Sequence, residues 1–230
     1  MTGTVLVCGY GPGISEAVAR KFGDAGFSVA LVARSADRVE AGARALGEAG
    51  VKAHGFSCDL SDLAAIRALV ADVREKLGPI AVIHWNAYAG LAGDLTTCDV
   101  EDLRTVLDVG VHGMVVAVQE ALPDLRAAKD PAVLVTGGGF AFYEPEVDSM
   151  IVQWNAMGLS IAKAAQHKLV GVLHEKLKGE GIYVGEAVVL GVVKGTAFDS
   201  GYGTIEPAHV ADAFFALYQE RSQVSVRVPS

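Results

Sequence analysis

The first chemical signal in this 230-residue chain is a run of small residues, Gly9, Gly11 and Gly13, with Ser15 close behind, directly after an apolar stretch at 4–8. Glycines at such a place let backbone N–H groups approach an anion with no Cβ in the way, and a helix N-terminus behind them adds the positive end of its dipole. The chemistry they suit is the cradling of a pyrophosphate. The spacing is not GxGxxG, because Ile14 takes the last position, but GxxxGxG fits Gly9 and Gly13 with Ser15 at the third place. Cys8, Cys58 and Cys98 lie far apart, with no CxxC or Cys/His ligand spacing, so neither a metal site nor a disulfide framework is expected. No paired carboxylates and no nucleophile–base spacing stand out.

The elements that must position this turn alternate regularly. The apolar, β-branched run at 4–8 reads as a strand, and residues 14–25 repeat at helical spacing. The pattern predicts further strands at 28–33, 51–57, 80–85, 132–136, 182–189 and 224–228. Helices are expected at 36–49 capped by Ser35, 62–76 capped by Ser61, 100–128, 147–178 and 207–221. Strands separated by single helices require right-handed crossovers, hence a parallel sheet covered on both faces. The expected fold is α/β: one Rossmann-type, doubly wound domain over residues 1–230, with about seven strands.

A net charge of −8 and a pI near 5.2 give no positive field to gather nucleic acid or anionic lipid. The first 19 residues hold no Lys or Arg, unlike a signal peptide, and no apolar run is read as reaching membrane-spanning length. A soluble cytoplasmic protein acting on a small molecule is expected, without nucleic-acid or membrane partners.

Taken in order, these landmarks resemble the short-chain dehydrogenase/reductase family over nearly the whole chain. The resemblance implies that Gly9, Gly11, Gly13, Ile14 and Ser15 hold a dinucleotide. In VALVARS, Ala33 stands where NAD-preferring relatives carry an acidic residue and Arg34 follows, with Ser35 beside it, which implies NADP rather than NAD. Asp59 and Leu60 in CDLSD fall at the family's adenine contact, though Asp59 serves equally well as a cap for the helix that follows. Asn86, Ala87 and Gly90 in WNAYAG are similar to the family's NNAG segment at the adenosine ribose. Gly191, Val193 and Thr196 in VVLGVVKGT lie where relatives meet the carboxamide. The resemblance also implies a homodimer or homotetramer, formed through the long helices on either side of the fifth strand.

The same alignment loses the family's proton machinery, a tyrosine that donates, a lysine that lowers its pKa and holds the ribose, a serine that polarises the carbonyl and a supporting asparagine. The YxxxK pair falls on Leu159 and Lys163, the serine on Gly138 and the asparagine on Gly110. Lys163 keeps its place; leucine cannot transfer a proton. Tyr143, Tyr88, Tyr202 and His112 are the alternative donors, with Tyr143 preferred for its position just after the fifth strand and His112 expected as buried packing. Met150, Trp154, Met157 and Ile161 form either an apolar substrate wall or, as the plainer account, core and subunit interface. Two functions follow: an NADP-dependent oxidoreductase of a small apolar carbonyl or imine with an atypical proton route, or a non-catalytic NADP-binding or sensing protein.

Overall fold

The computed structural model describes residues 3–229, so the expected domain limits at Met1 and Ser230 lie outside the described residues. Seven parallel strands form one sheet, in the order β3-β2-β1-β4-β5-β6-β7. They are β1 Thr4–Cys8, β2 Ser28–Ala33, β3 Ala53–Ser57, β4 Ile80–Trp85, β5 Ala132–Gly138, β6 Tyr183–Leu190 and β7 Ser225–Pro229. Helices α1 (Ile14–Asp24), α2 (Ala36–Glu48) and α8 (Pro207–Glu220) contribute to one apolar core. The opposite core draws on α3 (Leu63–Leu77), α5 (Gly113–Ala127) and α7 (Met157–Leu177). β1 shows why its sequence is apolar throughout: Val5 and Val7 enter the first core, Leu6 and Cys8 the second, and all four are fully buried. The strand order reverses beside β1, between it and β4, and such a switch point opens a crevice at the carboxyl ends of the strands.

Several boundaries differ from those the sequence suggests. The cap of α3 is Asp62, whose Oδ1 accepts from the N–H groups of Ala64 and Ala65; Ser61 instead donates to Asp59. The helix expected at 100–128 is α4 (Val100–Leu107) and α5 joined by a π turn, Asp108–His112. By length and composition alone, Val100–Ala127 is apolar enough to cross a membrane, contrary to the reading that no such run exists. Half of its most apolar window is buried, and α5 packs against α3 and β4.

The helix expected at 147–178 is two helices, α6 (Pro145–Gln153) and α7, separated at Trp154–Ala156 with Asn155 at φ 51°. Asparagine tolerates that left-handed conformation better than most residues. The start of α7 is fixed from outside: the N–H groups of Met157 and Gly158 donate to the carbonyls of Gly93 and Ala92, in the loop after β4. Two donors that a helix start leaves without intrahelical partners are satisfied there.

Candidate functional site

A cleft of about 1180 Å³ runs along the carboxyl ends of the strands. Its lining includes Gly9, Gly11, Ile14 and Ser15 from the first turn, Arg34 and Ser35 after β2, and Asp59 and Leu60 after β3. It also includes Asn86 and Ala87 after β4, Lys163 on α7, and Gly191, Val193 and Thr196 after β6. Gly13 is not in the lining; it supports the turn from behind, where a Cβ would come within 2.7 Å of Thr196 Cγ2 at φ +88°.

The turn is tied to itself and to its neighbour. Gly9 has φ +83°, and a Cβ there would meet Ala87 N and Cα at 2.6 Å, so the loops after β1 and β4 touch backbone to backbone. Ser15 Oγ accepts from Gly11 N at 3.0 Å and lies within 3.0 Å of Gly9 O as a donor. Asn86 Nδ2 reaches Gly9 O at 3.4 Å. The serine at the third glycine position thus acts as an internal brace. Gly11, by contrast, has nothing within 4 Å of its Cβ direction, so the space beside it is open, while its N–H is held by Ser15.

One end of the cleft is polar and positively charged. Arg38, on the first turn of α2, joins Arg34 in the lining, and sequence reading missed it although it stands four residues on, one helical turn away. Asp59 does not cap α3. Its Oδ1 accepts from Ser61 N and Oγ at 2.9 and 2.8 Å, which together with nearby Arg34 holds its carboxyl below the usual range. The Cys58 thiol beside it is pushed up to about 11 by burial, so it is a poor nucleophile.

The other end is apolar, walled by Phe140, Val147, Met150, Trp154, Leu159 and Phe198. Met150 and Trp154 therefore face the cleft, while Met157 Sδ accepts from Leu95 N and Ile161 is largely exposed. Lys163 Nζ lies one turn beyond Leu159, donating to Thr136 O at 2.7 Å and to Gln166 Oε1 at 3.0 Å. Desolvation lowers its pKa to about 8, partly offset by Glu186. Gln166 is buried and passes its own Nε2 hydrogen to Gly110 O at 2.6 Å, in the π turn. A Cβ on Gly110 would stand 3.0 Å from Ala162 Cβ, so the π turn and α7 pack closely there. Gly138 is open on its Cβ side.

Of the four alternative donors, only Tyr88 lines the cleft, packed against Phe198 at 5.5 Å between ring centroids. Tyr143 is 96% exposed, because the 3-10 turn at Gly139–Ala141 and the start of α6 carry the chain outward, and the structure does not bring it to Lys163. Tyr202 is similarly exposed. His112 is not buried packing; its Nδ1 pairs with Asp108 Oδ1 at 2.6 Å on a half-exposed face. No group of three or more His, Cys, Asp or Glu suited to a metal occurs among the described residues.

Beneath the lysine, His84 on β4 is fully buried, with Nε2 3.2 Å from Thr136 Oγ1. Burial, assisted by the Lys163 charge, lowers its pKa to about 3 from 6.5. The folded protein therefore keeps His84 neutral over a range where the unfolded chain binds a proton. Stability is untouched above about pH 6.5 and falls as the pH drops from there towards 3, by about 2 kcal/mol at pH 5. Urea unfolding of the protein and of His84→Gln at pH 7 and pH 5 measures this; an equal loss in both would assign the acid sensitivity to other groups.

A parallel sheet with a glycine-lined crevice at its switch point defines a nucleotide-binding α/β fold. The short chain dehydrogenase family model matches residues 3–204, and the chain belongs to that family. Among its relatives, meso-2,3-butanediol dehydrogenase of Serratia marcescens is 28% identical over 210 residues, covering 91% of this chain and 77% of that protein. Sulfoacetaldehyde reductase 2 of Chromohalobacter salexigens is 27% identical, covering 80% and 70%. An NADPH-bound short chain oxidoreductase of Pseudomonas aeruginosa, described as containing an atypical catalytic center, superposes with a TM-score of 0.83. It is 20% identical, over 98% of this chain and 95% of that one. A metagenomic short-chain oxidoreductase in complex with NADP superposes at 0.81, with 24% identity over 99% and 97%.

Proposed function

We propose that this protein is an NADP-dependent oxidoreductase that reduces a small, apolar carbonyl or imine, with Lys163 Nζ giving the proton where Leu159 offers only hydrocarbon. The observation that carries the reading is the lysine itself: a desolvated ammonium whose pKa lies about 8, two of its N–H groups donating to Thr136 O and Gln166 Oε1, in an apolar cleft. A general acid works best with a pKa near the operating pH. The third N–H is left for a substrate atom. NADPH, when bound, supplies the hydride.

The residues fit that cofactor. The Gly9–Ser15 turn leaves open space beside Gly11, and Arg34 and Arg38 together suit the 2′-phosphate that distinguishes NADP from NAD. Leu60, Asn86 and Ala87 line the path of the adenosine half, with Asp59 Oδ2 outside the Ser61 contacts. Gly191, Val193 and Thr196 flank the apolar end near Lys163. The two neighbours with NADP or NADPH bound support this assignment. A ketone or neutral imine takes its proton from Lys163 as the hydride adds, whereas hydride addition to an already cationic C=N demands no proton at that step and bypasses the lysine.

Fluorescence titration with NADPH and NADH, followed by NADPH oxidation over matched cyclic imines and ketones, tests the reading. Tighter binding of NADPH is expected, and Arg34→Ala is expected to weaken it about tenfold while leaving NADH within twofold. Binding without oxidation on either panel would favour the second reading, a non-catalytic NADP-binding protein, to which Leu159, Gly138 and Gly110 together point. The exposed Ile161 and Val172 on α7 support self-association through that helix.

A further inference from the structure

Glu186 is an unusual residue for an interior strand. It sits on β6 at 1% exposure, and its Oε2 is a buried oxygen with no hydrogen-bond partner among the described residues. Buried carboxyl oxygens without partners are costly, and each one in a folded protein calls for a reason. The position of Oε2 supplies one. A Cβ on Gly137 would stand 2.9 Å from it, so this carboxyl lies against the Thr136–Gly137 peptide, and Gly137 lines the cleft. Lys163 Nζ is hydrogen-bonded to the carbonyl of that same peptide, at 2.7 Å.

The other oxygen points away from the cleft. Glu186 Oε1 is 2.5 Å from His167 Nδ1 and accepts from Ser225 Oγ at 2.8 Å. The His167 side chain is 39% exposed, so an imidazole connects a buried carboxyl with solvent. His167 lies four residues after Lys163 on α7, hence on the same helix face. The charged and titratable groups around Glu186 are Lys163 and His167 from α7 and Arg227 from β7. Arg227 stands two residues beyond Ser225 on the same sheet face and lies over Phe142, whose ring packs on His167. β5 contributes only backbone there, at Thr136 and Gly137.

We propose that Glu186 and His167 form a proton relay between bulk water and Lys163. A proton taken from solvent at His167 Nε2 leaves its Nδ1 for Glu186 Oε1. The carboxyl then turns about its Cγ–Cδ bond, carrying that O–H to the side where Oε2 stood, beside Gly137, and passes the proton to the neutral Lys163 amine. Each transfer makes one N–H or O–H bond and breaks another; the carboxylate turns back, and the imidazole regains its first tautomer by losing the Nε2 proton to water as Nδ1 takes one up, leaving one proton moved inward. Both residues act through Lys163. The relay rests on the reading of Lys163 as donor only for its use, since proton exchange at Nζ is measurable without any substrate.

The test is solvent exchange of the Lys163 Nζ protons, followed by NMR on lysine-¹⁵N-labelled full-length protein, with Lys163→Arg assigning the signal. Exchange is expected to slow tenfold or more in His167→Gln and His167→Ala, and imidazole added at tens of millimolar should restore it in His167→Ala. Glu186→Gln should slow it to the same extent; if that variant fails to fold, the His167 pair decides alone. Exchange at the parent rate in the His167 variants, or slowed exchange that imidazole leaves unchanged, overturns the relay. Failure of NADPH turnover would reject the proposed reductase activity and leave this exchange result standing.

Discussion

Lys163→Met is expected to lower NADPH-dependent reduction by about 10²- to 10⁴-fold, the usual loss when a positioned general acid is removed. The matching measurement is steady-state turnover with a ketone or neutral imine that the panel yields, alongside NADPH affinity. Lys163→Arg separates two roles. A guanidinium retains positive charge near the cofactor ribose but does not release a proton in this pH range, so affinity should return while the rate stays low. With Lys163 as the proposed donor, the protonated lysine is the active form in reduction. Its pKa of about 8 therefore predicts a plateau below that pH and a roughly tenfold fall per unit above it. A full rate in Lys163→Arg would show that the proton comes from elsewhere, with Tyr88, which lines the cleft, the next donor to test.

Gly9→Ala is expected to be the most damaging small substitution in the chain. The residue sits at φ +83°, which costs an L-residue roughly 1–2 kcal/mol. The added methyl would also stand 2.6 Å from backbone atoms of Ala87, and relieving such an overlap costs about 1–3 kcal/mol more. The sum, about 2–5 kcal/mol, corresponds to a fall in Tm of roughly 5–15 °C for a domain of this size. Gly11→Ala is the contrast. Its Cβ meets nothing within 4 Å, so stability should be unchanged while NADPH affinity drops about tenfold. Differential scanning calorimetry and a fluorescence titration on both variants check the pair. Similar Tm losses at Gly9 and Gly11 would contradict this division between a structural and a binding glycine.

Much of the architecture was legible because its signals are local and redundant. β1 and β4 read as strands since every residue of each is buried, which leaves apolar runs broken only by Thr4 and His84. The glycine turn and Arg34 were found by type and spacing. What escaped depends on contacts between distant segments. The break between α6 and α7 has no glycine or proline to mark it, and the loop carbonyls that begin α7 come from residues more than 60 positions earlier. Glu186 and Gln166 are polar residues at core positions, which a hydropathy pattern assigns to the surface. Tyr143 was placed by its distance along the chain from β5, and that distance carries no information about the direction in which the chain leaves the sheet.

The π turn at Asp108–His112 bears on how this chain tolerates change in length. A π turn holds one more residue than an α turn, and one residue of helix corresponds to about 100° of rotation. The extra residue lets Thr105 and Val109 border the cleft while Gly113, with no room for a Cβ beside Leu60 O, still seats against the neighbouring layer. Deleting any single residue between 108 and 112 would restore a regular helix with both halves still in phase, at the expense of the Gly110 carbonyl that Gln166 holds. A one-codon deletion is thus tolerated by the packing of the flanks, whereas a one-codon insertion turns one half against the other.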